Sequence, residues 1–190
     1  MVMLIDLNPS IVALMVMSVI LVAAFVGWML YQKRRTAHLR DSFGPEYDRE
    51  LEKTGNRDKA EALLLQRKER VEHLNLRPLL SSDRARFLGA WRALQARFVD
   101  SPETAIADAD RLVTEVMEKR GYPVTDFDQR AADVSVDHPV VVENYREAHA
   151  IALRQSRNEA STEELRQGLI HYRALLDELV SEELAPGKAA

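Results

Sequence analysis

The stretch IVALMVMSVILVAAFVGWMLY, from Ile11 to Tyr31, decides how the N-terminal part of the chain folds. It contains no ionisable group apart from the phenol of Tyr31. An α-helix of this length would span ~31 Å, which matches a hydrocarbon core of ~30 Å. A helix also satisfies its own backbone hydrogen bonds, as lipid requires. The stretch therefore predicts a transmembrane helix at residues 10–32, preceded by a short tail at residues 1–9.

Two alternatives to a membrane anchor are a cleaved signal peptide and a core helix of a soluble protein. A signal peptide carries basic residues before a shorter apolar run and small residues at its cleavage site. Here no Lys or Arg precedes the run, and Trp28-Met29-Leu30 closes it. A core helix has one apolar face, whereas this run is apolar on every face. The pattern favours a single-pass anchor in the cell membrane.

Basic residues directly after the span indicate its orientation. Lys33, Arg34 and Arg35 follow it, whereas Asp6 is the one charged side chain before it. Because basic flanks favour the cytoplasmic side, we expect the C-terminal domain to be cytoplasmic. The cluster could also contact anionic lipid, or it could serve as a topology marker and nothing more. The opposite orientation would carry the cluster across the membrane against this bias.

The composition excludes several classes of protein. The chain of 190 residues has a net charge of −4, no cysteine and 7 dispersed glycines. It therefore has no disulfide framework, no thiolate zinc site and no glycine-rich phosphate loop. It contains no H-E-x-x-H or G-x-S-x-G motif, and no basic stripe of the kind that binds nucleic acid. We expect no enzyme activity, no cofactor and no metal; the expected partners are the lipid bilayer and either a protein or a second copy of the chain.

The sequence after the span predicts helices throughout. Residues 33–44 form a basic linker that ends at the turn signal Gly44-Pro45. Residues 45–77 predict a charged helical segment with a thin apolar seam, whose charged residues we interpret as a solvated face. Residues 78–184 predict a compact domain and residues 185–190 a flexible tail. The expected fold is all-α, with one transmembrane helix followed by a bundle of about four or five helices.

Apolar stripes at helical spacing predict the core of the compact domain. Asp108 and Asp110 lie off the second stripe, and we expect both to face water. The stripes are Phe87, Trp91, Leu94 and Phe98; Ile106, Ala109, Leu112, Val113, Val116 and Met117; Val141, Tyr145, Ala148 and Ala152; and Leu165, Leu169, Tyr172, Leu176 and Leu179.

Local signals predict where these helices begin and end. Ser101 can cap the helix that follows it, with Pro102 at the tolerated first position, and Gly121 supplies its stop. A capping box from Ser161 to Glu164 opens the last helix.

The least regular stretch of the domain is GYPVTDFDQRAADVSVDHP, residues 121–139. Loops on a rigid scaffold often carry binding residues, so we predict that this loop and the neighbouring helix contact a partner. The alternative is a connector whose aromatic residues fill the bundle and whose last aspartate caps the next helix. The candidate interaction residues are Tyr122, Phe127, Asp133, Asp137 and His138.

His138 and His149 form a second candidate group. They are eleven residues apart, close to three helical turns, so a helix covering both would point them to one side. With Asp133 and Asp137 just upstream, they could bind a divalent metal ion or form an enzyme site. The spacing is not a known ligand pattern, and buried or hydrogen-bonded structural histidines are the alternative.

Four stretches resemble a group of bacterial single-pass membrane proteins that are often labelled only as hypothetical or secreted proteins. The resemblance implies an N-terminal anchor with a helical domain, and it carries over no activity and no site residue. The stretches are FGPEYDRE (43–50), WRALQARFVDSPETAIADADRLVTEVMEKRGYP (91–123), FDQRAADVSVDHPVVVENYREAHAIALR (127–154) and EASTEELRQGLIHYRALLDELV (159–180).

Three hypotheses for function follow. The preferred one is a protein-interaction or scaffolding module at the cytoplasmic membrane, because the sequence combines an anchor with a helical domain that has no catalytic motif. The first alternative is an enzyme or metal-binding domain with an unfamiliar helical His/Asp site. The second is a tether or spacer.

Overall fold

The computed structural model describes residues 9–123 and 126–181, with side chains from residue 13 onward, and its regular structure is α-helical. No strand occurs in these ranges, as the sequence predicts. The charged segment 45–77 folds as two helices, so seven helices follow α1 in the described part, more than the four or five predicted. The helices are α1 (Pro9–Phe43), α2 (Pro45–Thr54), α3 (Arg57–Glu72), α4 (Ser81–Phe98), α5 (Pro102–Arg120), α6 (Phe127–Asp137), α7 (Val142–Gln155) and α8 (Thr162–Ser181).

Helix α1 is the one described helix that is long and apolar enough to cross a membrane, over Ala13–Phe43. Its length and composition also fit a signal sequence. The predicted basic linker at residues 33–44 is part of this helix as far as Phe43, because the sequence has no glycine or proline between Gly27 and Gly44. The side chain of Ile11 and the terminal residues 1–8 and 182–190 lie outside the described part.

The chain divides into two compact units, one ending at Asp41 and the other beginning at Ser42. Near the start of the second unit, Gly44 has a φ of +47° and Pro45 occupies the first turn of α2. Helices α2 and α3 form a hairpin whose turn contains Gly55 at φ +60°, followed by Asn56. The Asn56 side chain accepts a hydrogen bond of 3.0 Å from the Lys59 backbone N–H, which caps α3.

The core of the second unit surrounds α5. Helices α4 and α8 pack against α5, and α7 packs against α8. The predicted apolar stripes are confirmed, since all of their residues are buried except Phe98, Val141 and Ala152, which are partly buried. The stripes of four helices therefore form one hydrophobic core.

The predicted helix boundaries are confirmed, although one cap differs in detail. In the capping box, the Glu164 backbone N–H lies 3.3 Å from the Ser161 hydroxyl, and the Ser161 N–H donates to Glu164 at 2.8 Å. Ser101 occupies the cap position of α5, but its side chain makes no cap hydrogen bond. Gly121 ends α5 at φ +99°, and a Cβ there would lie 2.5 Å from the carbonyl oxygen of Asn75. Only glycine fits this position without strain.

The charged hairpin is not a purely solvated face. Glu46, Glu50 and Glu61 are buried, with Glu46 only 1% exposed, so the interpretation as a solvated face is wrong for these residues. Arg67 of α3 holds Glu46 at 3.3 Å and Glu50 at 2.8 Å. Arg146 of α7 binds both carboxylate oxygens of Glu46, and its hydrogen bond to Oε2 is 3.0 Å long. The Arg67 pairs therefore join α2 to α3, and the Arg146 pair fixes the hairpin to α7.

Candidate functional site

Most of the predicted interaction loop is helical. Residues 127–137 form α6, and Asp126 caps this helix by accepting a hydrogen bond of 3.0 Å from the Gln129 backbone N–H. Val124 and Thr125 lie outside the described residues. An aspartate cap followed by eleven helical residues makes the stretch a scaffold element rather than an open loop.

Tyr122, Asp137 and His138 have structural contacts inside the bundle. Tyr122 is buried, and its hydroxyl donates to the Asp137 carboxylate at 3.3 Å. His138 is buried as well, with its Nδ1 atom 3.2 Å from Glu178. This arrangement agrees with the alternative in which the aromatic residues of a connector fill the bundle. The N-cap of α7 is Val141, however, so Asp137 does not cap that helix.

Asp133 is also interior, because it is 1% exposed. One of its carboxylate oxygens accepts hydrogen bonds of 2.9 Å from Arg70 and from Gln129. Phe127, in contrast, lines a surface groove.

That groove lies between the N-terminal end of α6 and the outer face of α7, and its volume is about 490 Å³. We call it the α6–α7 groove. It joins the predicted loop region to the neighbouring helix, where the sequence predicts a contact surface. Its lining residues are Arg49, Asp126, Phe127, Asp128, Arg146, His149, Ala150 and Leu153.

Two stacked rings form the floor of the groove. The Phe127 ring and the His149 imidazole are nearly parallel, with centroids 3.7 Å apart and planes at 7°. On the inner side Phe127 contacts Tyr145 at a centroid distance of 4.8 Å. The His149 side chain is 18% exposed, and Leu153 is 52% exposed on the groove wall. The floor therefore combines one apolar ring with one imidazole ring, which suits contact with an aromatic side chain.

Asp110 of α5 holds this floor from below. Its Oδ1 atom accepts a hydrogen bond of 2.6 Å from the Tyr172 hydroxyl and lies 3.6 Å from Nδ1 of His149. Burial by itself raises the pKa of Asp110, but the nearby His149 imidazole and the hydrogen bond from Tyr172 outweigh it and lower the pKa below its usual value. Asp110 is therefore an ionised carboxylate at neutral pH, and its Oδ1 atom faces the Nδ1 edge of His149.

The prediction that Asp108 and Asp110 face water is wrong. The Asp108 side chain is 15% exposed and bridges Arg97 and Arg111, and the Asp110 side chain is 29% exposed beneath the groove. A signal for Asp110 exists in the sequence. It follows Ile106 by four residues and precedes Val113 by three, so it shares a helix face with two core positions.

Two buried tyrosines complete the polar centre. Burial raises the pKa of Tyr145 to about 12. The pKa of Tyr172 is raised by burial and by the charge of Asp110. Both hydroxyls are therefore protonated at neutral pH. Among the described residues the Tyr145 hydroxyl makes no hydrogen bond of ordinary length, although Arg130 and Thr114 are its polar neighbours.

The rim of the groove carries charges of both signs. Arg49 and Glu143 form an exposed ion pair of 3.2 Å, and Glu143 also lies 3.3 Å from Arg146. Asp126 and Asp128 are exposed at the N-terminal end of α6. Because exposed ion pairs contribute little to stability, these groups can exchange partners when another charged segment approaches.

The structure does not join His138 and His149 into one site. His138 contacts Glu178, whereas His149 contacts Asp110. Within residues 9–123 and 126–181, no group of three or more His, Asp or Glu side chains is placed to hold a metal ion.

We also compared the chain with known proteins. No family model, curated protein or solved structure matches it.

Proposed function

We propose that this chain is a membrane-anchored docking module of bacteria, and that a segment of a partner protein binds in its α6–α7 groove. The stacked floor of Phe127 and His149, held from below by Asp110, is the observation that carries the proposal. Beside this floor Leu153 is half-exposed, which leaves apolar surface uncovered. Buried aromatic contacts of this kind dominate the binding energy of protein interfaces.

The charges of the rim define the kind of segment that fits. Arg49 and Asp128 both line the groove and carry opposite charges. A segment with a central apolar or aromatic side chain, an acidic residue toward Arg49 and a basic residue toward Asp128 would complement both charges. We therefore assign the groove to a protein segment with charges of both signs.

The anchor and its flank support a location at the cytoplasmic face of the cell membrane. Helix α1 is long and apolar enough to span the bilayer. Lys33, Arg34 and Arg35 follow its apolar part and favour the cytoplasmic side. Protease protection on intact cells and on inverted vesicles tests the orientation, because a cytoplasmic domain is cleaved only in the vesicles.

A photo-crosslinking residue at position 153 tests the docking itself. We expect a specific product in intact membranes, and Asp128→Lys should abolish it because the substitution places a positive charge where the basic residue of the segment would bind. Position 80 is the control, since Leu80 is also exposed and lies outside the groove. The same products at positions 153 and 80, or a product insensitive to Asp128→Lys, would contradict the docking proposal.

A second candidate function is acid–base chemistry at His149, and the contact with Asp110 favours it. A carboxylate beside Nδ1 orients an imidazole and leaves Nε2 to accept a proton from a bound ligand. His149→Phe separates the two functions, because it keeps an aromatic floor but cannot accept a proton. Docking survives this substitution if the floor acts by its shape. An acid–base function is lost, together with any cellular phenotype that depends on it.

A further inference from the structure

A second groove, of about 290 Å³, lies between α4 and α8. Both helices pack against α5, and each supplies one wall of the groove. On each wall the lining residues recur at helical spacing, and each helix therefore turns one face toward the groove. We call it the α4–α8 groove. It is lined by Trp91, Gln95 and Phe98 of α4 and by Arg166, Leu169, Ile170 and Arg173 of α8.

The floor of the α4–α8 groove is apolar and incompletely covered. Trp91 is fully buried and Leu169 nearly so, whereas the Ile170 side chain beside them is 49% exposed. Phe98 is partly buried against the same core. The indole N–H of Trp91 is buried and makes no hydrogen bond within the described residues. An apolar strip between two helices has the form of sites that receive a third, amphipathic helix.

The charges along this groove have one sign. Arg166 and Arg173 both lie on α8, seven residues apart, which is ~10.5 Å along the helix axis. No carboxylate is among the lining residues. Each arginine is held by a residue of its own helix, Arg166 by Glu163 at 2.6 Å and Arg173 by Asp177 at 2.6 Å.

Both intrahelical pairs are solvent-exposed, so the two arginines can still bind a carboxylate of a partner. Their side chains are exposed by 50% for Arg166 and 37% for Arg173. Pairs with such exposure contribute little to stability, so a carboxylate from a docked helix can replace the intrahelical one at low cost. Arg173 also stands over the Trp91 ring, 5.7 Å from its centroid. A ligand that contacts the arginine therefore also changes the surroundings of the indole.

We propose that the α4–α8 groove binds a short amphipathic helix of a partner protein, with acidic residues two turns apart facing Arg166 and Arg173. Its apolar side chains cover Ile170 and Phe98. This surface is separate from the α6–α7 groove and does not depend on the function proposed for it. Two docking surfaces on one unit would make the protein a scaffold that joins two partners.

Peptide binding tests the charge preference directly. The probes are two synthetic 14-residue helical peptides with the same leucine face, one with glutamates seven residues apart and the other with lysines in their place. The full chain is used in detergent micelles with Trp28→Phe, which leaves Trp91 as the one tryptophan. We expect the glutamate peptide to shift the Trp91 emission and to bind at least tenfold more tightly than the lysine peptide. Equal affinity, or binding of neither peptide, overturns the proposal.

Two variants and a control show whether binding occurs in the groove. The double substitution Arg166→Glu and Arg173→Glu should reverse the peptide preference, and Ile170→Asp should abolish binding. Val140→Asp is the matched control, because Val140 is 72% exposed and lies outside both grooves. Native-like circular dichroism of Ile170→Asp confirms that it folds. Loss of binding in the control together with Ile170→Asp contradicts the assignment.

Crosslinking in cells then distinguishes the possible occupants. A photo-crosslinker at position 170 should react with an acidic helical segment of another protein, identified by mapping the crosslinked peptide. A product between two copies of this chain overturns the assignment in favour of self-association. A basic or non-helical segment also overturns it, as does reaction no greater than at position 140.

Discussion

The hydrogen bond from Tyr172 to Asp110 makes a quantitative prediction, because the same centre holds a second buried tyrosine as a control. Both side chains are fully buried, but only Tyr172 donates to a carboxylate, at 2.6 Å. The Tyr145 hydroxyl has no hydrogen-bond partner within the described residues. Replacing each tyrosine by phenylalanine removes one oxygen from similar surroundings, so the two costs can be compared directly.

Tyr172→Phe should lower the free energy of unfolding by about 1.5–3 kcal/mol, which is typical of a hydrogen bond to a charged group. For a domain of about 150 residues this corresponds to a decrease in Tm of roughly 3–12 °C. Tyr145→Phe should change stability by less than about 0.5 kcal/mol, or increase it, because it removes a buried polar group that has no partner.

Acidic pH should reduce the difference between the two variants. The pKa of Asp110 is lowered in the folded state. Its charge therefore stabilises the fold above the unfolded pKa of about 3.9, and this contribution is lost as the pH falls through the lower folded pKa. Once the carboxylate is protonated, the bond from Tyr172 joins two neutral groups and contributes about 0.5–1.5 kcal/mol.

Urea unfolding of the full chain in detergent micelles, followed by near-ultraviolet circular dichroism, measures these differences. The native protein and both variants are compared at neutral pH and again in acid. Equal costs for Tyr145→Phe and Tyr172→Phe would refute the reasoning, because packing would then account for both. A cost for Tyr172→Phe that does not change in acid would show that the charge of Asp110 is not involved.

Three further predictions concern stability, and the same urea unfolding checks them. Glu46→Ala should cost about 3–5 kcal/mol, because it leaves Arg146 without its buried partner and removes one of the two buried partners of Arg67, whereas Glu143→Ala at the exposed rim should cost less than about 1 kcal/mol. Similar costs would contradict the importance of burial. Gly121→Ala should cost more than the roughly 1–2 kcal/mol of Gly55→Ala, because both have positive φ but only the former meets a carbonyl oxygen. Ser161→Ala should cost about 0.5–2 kcal/mol, and no loss would show that the capping box is unimportant.

The sequence predicts the helix boundaries well because their signals are local. Gly44-Pro45, Gly121 and the capping box at Ser161 each act within one helical turn, and each marks a boundary in the structure. The extension of α1 beyond the apolar span is not predicted, because the basic composition after the span favours a linker. No glycine or proline between Gly27 and Gly44 stops the helix, so it continues to Phe43.

The candidate site was predicted only in part. Phe127 and His149 are both candidate residues in the sequence, and the structure stacks them in one groove. The sequence does not predict that Asp110 faces His149, because Asp110 lies on another helix and is held there by Tyr172, which is 62 residues further along the chain. Pairings over such distances depend on how helices pack, and periodicity within one helix does not encode them.

The buried charges of the α2–α3 hairpin show why packing can reverse the interpretation of a charged segment. The apolar seam of α3 buries Ala60, Leu64 and Val71, which is a narrow surface to hold a hairpin in place. Apolar contact is non-directional, so a narrow seam tolerates sliding by a helical turn. The bond between Arg146 and Glu46 joins residues 100 positions apart, and a slide of one turn, about 5.4 Å, would break it. The ion pairs therefore fix the position of the hairpin along its neighbouring helices, which the apolar seam alone does not fix. The charged residues that resemble a solvated face in the sequence thus determine where the hairpin packs.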